Sequence, residues 1–225
     1  MKLLLFSLAG LALLAIGGVL VFVYVIQNVE QPAYTLVEQD REFELRDYPA
    51  LVVAEVQRKG NRQQGLSAGF GPLARYIFAK ERADDVEVGG ERIAMTAPVV
   101  QQALAPDARI AMTAPVTQRR TEGDAWAIRF IMPAQYRLAE LPAPAGDDVR
   151  LSELAARRVA AVRFSGRTTD ALIAEREQAL REWMANRELR PAAEPTYAYY
   201  NDPFTPGFLR RNEVLIDVAS NWKDQ

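Results

Sequence analysis

The hydrophobic pattern changes character along the chain. Leu3 to Ile26 is an unbroken apolar run of 24 residues without a charge. As a helix it would span about 36 Å, enough for a tilted crossing of a bilayer core of roughly 30 Å. Lys2 precedes the run, and no Lys or Arg follows until Arg41. The positive-inside rule then puts the N-terminus in the cytoplasm and everything after the run on the other side. A cleaved signal peptide is the competing reading, with Ala15-Ile16-Gly17 as its small-x-small site. Cleavage there would leave the apolar Val19–Ile26 on the mature chain. The sequence therefore predicts an uncleaved single-pass anchor whose partner is the lipid bilayer. Residues 1–30 form anchor and linker, and residues 31–225 form one extracytoplasmic domain, periplasmic in a bacterium.

From Tyr34 onwards the period shortens to two. Phe43-Glu44-Leu45-Arg46-Asp47-Tyr48 alternates as a half-buried strand does, and Leu51–Val56 resumes it after Pro49. Gly60 marks a turn. Leu66, Phe70, Leu73, Ala74, Ile77 and Phe78 then fall at helical spacing. Gly69 and Gly71 weaken that helix, which predicts close packing against a neighbour or a frayed start. The same order recurs. Arg158–Phe164 reads as a strand, Gly166 as its turn, and Thr169 or Asp170 as the cap of a helix carrying Leu172, Ile173, Leu180, Trp183 and Met184. A shift of 106 residues places Val53 on Val159, Ala54 on Ala160, Val56 on Val162, Gly60 on Gly166 and Leu66 on Leu172. Several matches in one register predict a duplicated unit.

Strand candidates follow each helix: Val86–Val88, Ile93, Ala125–Ile131 and the strands between in the first unit, Thr196–Tyr200 and Asn212–Val218 in the second. The expected fold is α+β. It is a distorted, eight-stranded antiparallel barrel or sheet with two helices on one side, built from two pseudo-twofold strand–helix–strand–strand halves and preceded by a transmembrane helix.

A heptapeptide is repeated seventeen residues apart, Ile93-Ala94-Met95-Thr96-Ala97-Pro98-Val99 and Ile110-Ala111-Met112-Thr113-Ala114-Pro115-Val116. Two readings stand. Met95, Thr96, Met112 and Thr113 present themselves to a ligand, or the methionines pack in the core while Thr-Ala-Pro shapes a strand end. Composition narrows the chemistry. There is no cysteine and no histidine, which removes thiolate and imidazole nucleophiles, thiolate and imidazole metal ligands, and an axial-histidine haem. A net charge of −2 lacks the basic surplus that nucleic-acid binding needs. The acids Asp84, Asp85, Glu87 and Glu91 surround a Gly-Gly turn, and Arg210-Arg211-Asn212-Glu213 reads as a salt bridge at a strand start. No convincing catalytic constellation emerges, so the chain is read as a binding protein and not an enzyme.

The repeated Met-Thr-Ala-Pro words, Trp126–Pro133, Leu141-Pro142-Ala143-Pro144, Phe164-Ser165-Gly166, Tyr200-Asn201-Asp202-Pro203 and Arg210–Val214 together resemble the SOUL haem-binding proteins, in family order, over Tyr34 to Val218. The resemblance implies a distorted barrel of two strand–helix–strand–strand halves. It also implies a possible haem or other tetrapyrrole ligand, with no cofactor required. Where the family has a proposed histidine ligand, this chain has none. Binding would then rest on hydrophobic contact with arginine–propionate pairs, or on iron ligation through a tyrosine or a methionine thioether, with Met95, Met112, Met132 and Met184 as the methionine candidates. The ligand-binding candidates are Arg62, Phe70, Arg75, Met95 and Met112. Two other classes remain open: an envelope interaction protein without a small ligand, and a hydrolase working through carboxylates.

Overall fold

The computed structural model describes residues 29–78, 109–121, 124–201 and 205–219. The chain divides into two compact units, Met1–Glu30 and Gln31–Gln225, and the architecture below is that of the second. The Leu3–Ile26 run, the strand expected at Val86–Val88, the acidic Gly-Gly turn and the first Met-Thr-Ala-Pro copy with Met95 lie outside the described residues. Among the described residues no helix is long and apolar enough to cross a membrane.

Among the described residues, nine strands and two helices follow in chain order: β1 (Thr35–Asp40), β2 (Phe43–Tyr48), β3 (Leu51–Lys59), α1 (Arg62–Ile77), β4 (Val116–Arg120), β5 (Ala125–Ile131), β6 (Arg150–Leu154), β7 (Arg157–Phe164), α2 (Asp170–Ala185), β8 (Thr196–Tyr199) and β9 (Asn212–Asp217). They form one antiparallel sheet in the order β1-β2-β7-β9-β8-β4-β5-β3-β6. The expectation of eight strands is corrected to nine, and the sheet is an open half-barrel with β1 and β6 as its edges. β1, whose residues are almost all exposed, is a strand that the pattern did not offer. It escaped the pattern because it lacks the alternation of a half-buried strand.

Disregarding β1, the strand order is symmetric about the junction of β4 and β8. On one side lie β5, β3 and β6, and on the other β9, β7 and β2. β2 precedes β3 in sequence but pairs with β7, Phe43 against Val162. β6 precedes β7 but pairs with β3, Leu51 against Leu154. Each half thus gives its first strand to the other half's edge.

Both helices cover one face. Residues paired directly across antiparallel strands share a face. Ala54–Phe130, Phe130–Val116, Val116–Tyr199, Gln118–Tyr197, Tyr197–Val214 and Val214–Val162 form one such chain of pairs. On it α1 buries Leu73, Tyr76 and Ile77 against Ala54, Val56, Ile128 and Phe130. α2 buries Ile173, Leu180, Trp183 and Met184 against Ala160, Val162, Val214 and Ile216.

Asn61 caps α1 in a reciprocal capping box with Gln64, and Thr169 caps α2 through the Leu172 N–H. Gly69 sits where a β-carbon would lie 2.8 Å from Ile128 Cγ1, so the glycine permits the approach of helix to sheet. Pro72 lies inside α1 and cannot donate to the carbonyl of Ala68. Arg58 Nε reaches that carbonyl instead, at 3.3 Å, while its two terminal nitrogens bind both oxygens of Asp148 at 2.7 and 2.6 Å.

Candidate functional site

The face of the sheet without helices carries a groove of about 210 Å³. The same pairing logic places its residues together. Thr117 stands opposite Arg129 and Ala198, Arg119 opposite Thr196, and Val159 opposite Asp217. Leu51, Ile131, Leu154, Val159 and Leu215 supply apolar lining, with Pro32 and Pro115 among the other walls. Thr117, Arg119, Arg129, Arg157, Thr196, Tyr48, Tyr200 and Asp217 supply the polar part.

The charges are unevenly matched. Arg119 places Nη2 2.7 Å from Asp217 and donates from Nε to Thr196 Oγ1 at 2.7 Å. Arg157 Nε lies 3.3 Å from the second Asp217 oxygen, and its guanidinium sits 5.8 Å over the Tyr48 ring. Arg129 Nε donates to Glu55 at 2.5 Å. Among the described residues, three guanidiniums therefore line a groove with one lining carboxylate, Asp217. Arg157 Nη1 is buried and has no hydrogen-bond partner. Burial pulls the Arg157 pKa down, and the positive charges of Arg119 and Arg129 add to this against the pull of Asp217. A buried N–H without an acceptor is costly, and an incoming carboxylate would relieve it.

Beside the groove, Arg46 and Glu213 form a buried pair through two bonds of 2.7 and 3.0 Å. Arg211 and the Tyr200 hydroxyl also donate to Glu213, at 2.7 and 2.8 Å. Burial works to raise the Glu213 carboxyl, but hydrogen bonds and charge from Arg46 and Arg211 outweigh it and hold the group below the ordinary range. Asp47, beside Arg158, and Asp148, beside Arg58, are likewise held down. Such sites keep carboxylates ionised. General-acid catalysis needs one raised and protonated.

The sequence candidates lie elsewhere. Arg62 is buried at the start of α1 and spends its nitrogens on Asp170 (2.7 Å), Tyr199 (2.9 Å) and the Thr168 carbonyl (2.5 Å). It joins the N-terminal ends of the two helices. Phe70 is exposed on α1, in edge contact with Phe130 at 5.2 Å. Arg75 is also exposed on α1. The structure places these three on the helical side of the sheet and not among the groove residues. Met95 lies outside the described residues.

The second Met-Thr-Ala-Pro copy gives a divided answer. Ile110 is in the core, but Met112 is 37% exposed, which corrects the core reading for that methionine. Thr113 donates to the Ile131 carbonyl, the Ala114–Pro115 bond is cis, and β4 starts one residue later. Thr-Ala-Pro thus shapes a strand entry and sets Pro115 in the groove wall. Met132 and Met184 are core residues, and no methionine among the described residues lines the groove. Sequence reading missed Arg119, Arg129 and Arg157. No alternation marks them: β4 reads Val-Thr-Gln-Arg-Arg, β5 has Arg129 as its one charged residue, and β7 opens on Arg157-Arg158 before four apolar residues.

Comparison with known families matches residues 29–217 to the SOUL heme-binding proteins. The chain belongs to this family. Among solved structures, a hydrolase from Listeria innocua is 13% identical with a TM-score of 0.54, covering 81% of this SOUL chain and 94% of its own. The C-terminal domain of EcmrR is 10% identical with a TM-score of 0.52, covering 83% and 98%. At these identities the likeness is one of fold alone. No curated protein matches significantly.

Proposed function

We propose that this SOUL protein binds a small ligand with a flat apolar body and carboxylate groups, tetrapyrrole being the reference case. It does so without iron ligation, from a domain tethered outside the cytoplasm by Leu3–Ile26. The observation that carries the ligand class is the unpartnered, buried Nη1 of Arg157 in a groove shared with Arg119 and Arg129. These residues suit propionates. Among the described lining residues the tyrosines Tyr48 and Tyr200 are of a kind that can ligate iron, but the Tyr48 hydroxyl accepts from Arg46 and the Tyr200 hydroxyl donates to Glu213. The volume of about 210 Å³ is below the usual 300–1,000 Å³ of ligand pockets. The groove therefore takes one carboxylate-bearing edge of a macrocycle, or a smaller acid whole.

Affinity then comes from apolar burial and guanidinium contacts, and micromolar binding, roughly −8 kcal/mol, is the expected scale. The test titrates the protein with haemin, metal-free protoporphyrin and the porphyrin dimethyl ester. Similar affinity for the first two, loss with the ester, and about tenfold weakening by Arg157→Gln are expected. A strong preference for haemin that Arg157→Gln leaves intact would overturn the reading. Absence of binding by all three would favour the envelope interaction protein, a role that the small groove also fits.

A further inference from the structure

At the end of the sheet where β7 stops and β9 begins, the turn Gly207–Leu209 holds Phe208 78% exposed and Leu209 52% exposed. The turn is firmly held. The Gly207 carbonyl accepts from Gly166 N at 2.9 Å and from Arg210 N at 3.1 Å, and the Leu209 N–H donates to Pro206 at 2.9 Å. Two adjacent large apolar side chains are thus fixed in water by an ordered turn.

They border an open groove of about 630 Å³ that also contains five arginines, Arg41, Arg163, Arg176, Arg210 and Arg211, against Glu42 and Glu44. Glu44 is engaged by Arg46 at 2.7 Å. The side chains of Arg41 and Arg163 make no hydrogen bond or ion pair among the described residues. Arg176 Nε is buried without a partner among the described residues, while its terminal nitrogens lie 4.0 Å from Glu42 and 3.4 Å from the exposed Glu175.

The chain's own path adds a second observation. Gln31, the first residue of the folded unit, accepts a hydrogen bond of 3.0 Å from Arg211, one of the residues lining this groove, while the next residue, Pro32, lies against the first groove. Only five peptide steps, about 17 Å at full extension, separate Gln31 from Ile26, the last residue of the apolar run.

We propose that this end of the domain docks on the surface of an acidic bilayer. Phe208 and Leu209 enter the headgroup–acyl boundary, and Arg41, Arg163 and Arg176 receive lipid phosphates. An aromatic tip ringed by arginines suits that boundary, with each nearby cation contributing roughly fivefold to the attraction of an anionic surface. The tether makes the contact local, so a weak surface is sufficient.

The chain contains no cysteine, so a single one can be labelled cleanly. Full-length protein carrying Phe208→Cys with an environment-sensitive fluorophore is placed with vesicles of phosphatidylcholine alone or mixed with phosphatidylglycerol. A Gln63→Cys label at the start of α1 serves as reference. Brominated lipids in the acidic vesicles should quench the label at 208 and leave the label at 63 unaffected. Arg163→Glu with Arg176→Glu should lower the docked fraction at least about tenfold, as should high salt. Equal quenching in neutral and acidic vesicles would overturn the phosphate assignment. Quenching at 208 no greater than at 63, or no association with vesicles, would overturn the docking. Because no porphyrin is present, these outcomes are independent of ligand binding in the other groove.

Discussion

A carboxylate sealed inside a sheet is stable only when its charge is answered, and Glu213 is answered by Arg46, Arg211 and the Tyr200 hydroxyl. Its side chain has no exposed surface. Glu213→Gln leaves the buried Arg46 with Glu44 alone as counter-charge and should cost about 3 kcal/mol in urea unfolding. The pH dependence has a definite sign. The folded-state carboxyl titrates below its ordinary value of 4.5. The stabilisation is therefore complete above that pH and is lost as the pH falls through the folded value. Wild type and Glu213→Gln should converge in thermal stability on acidification. A gap that persists at low pH would show that charge is not what the site contributes. The sequence alone made half of this cluster legible, because Arg211 and Glu213 are two residues apart on one face of a strand. Arg46 lies 167 residues from Glu213, and only strand pairing brings it there.

Among the elements, the helices were legible because their apolar spacing follows one period. The strands were legible where one face is buried and the other wet. β1 has no buried face and gave no signal. The glycines of α1 separate two effects that the sequence confounds. At Gly69 an added methyl meets Ile128 at 2.8 Å, on the underside of the helix. At Gly71 it meets only the far end of Arg75, at 3.3 Å. Gly71→Ala should stabilise by up to about 1 kcal/mol through helix propensity. Gly69→Ala should destabilise by about 2 kcal/mol, because strain exceeds the same propensity gain. Chemical denaturation of the two variants checks this, and stabilisation by both would refute the close contact.

For the whole molecule, the 106-residue shift holds at the turns Gly60 and Gly166, whereas the helices beginning at Arg62 and Asp170 are offset by 108, so the single register read from the sequence covers strand and turn and slips by two residues before the helix. The groove was not visible. Helical patterns drew attention to Arg62 and Arg75, whereas the unpartnered guanidinium lies on the opposite side of the sheet. A residue's partner count is a property of the fold and not of its neighbours in sequence. The anchor is tested at this scale too. N-terminal sequencing of protein extracted from membranes should find Met1 or Lys2, and a start at Val19 or later would show that the apolar run is removed.

The exchange of β2 and β6 makes the molecule a strand-swapped dimer whose two subunits have been joined end to end. Neither subunit is self-sufficient, since each completes its edge with the other's leading strand. The junction is a surface turn at Gly146, where a β-carbon would meet nothing within 4 Å. The peptide bond there is expendable, and the mutual loan of strands is not. Fragments 1–146 and 147–225, produced together, should reassemble and copurify as one folded complex. Each produced alone should be aggregated or paired with its own copy. A first fragment that remained monomeric and folded would mean that the borrowed strand is ornamental.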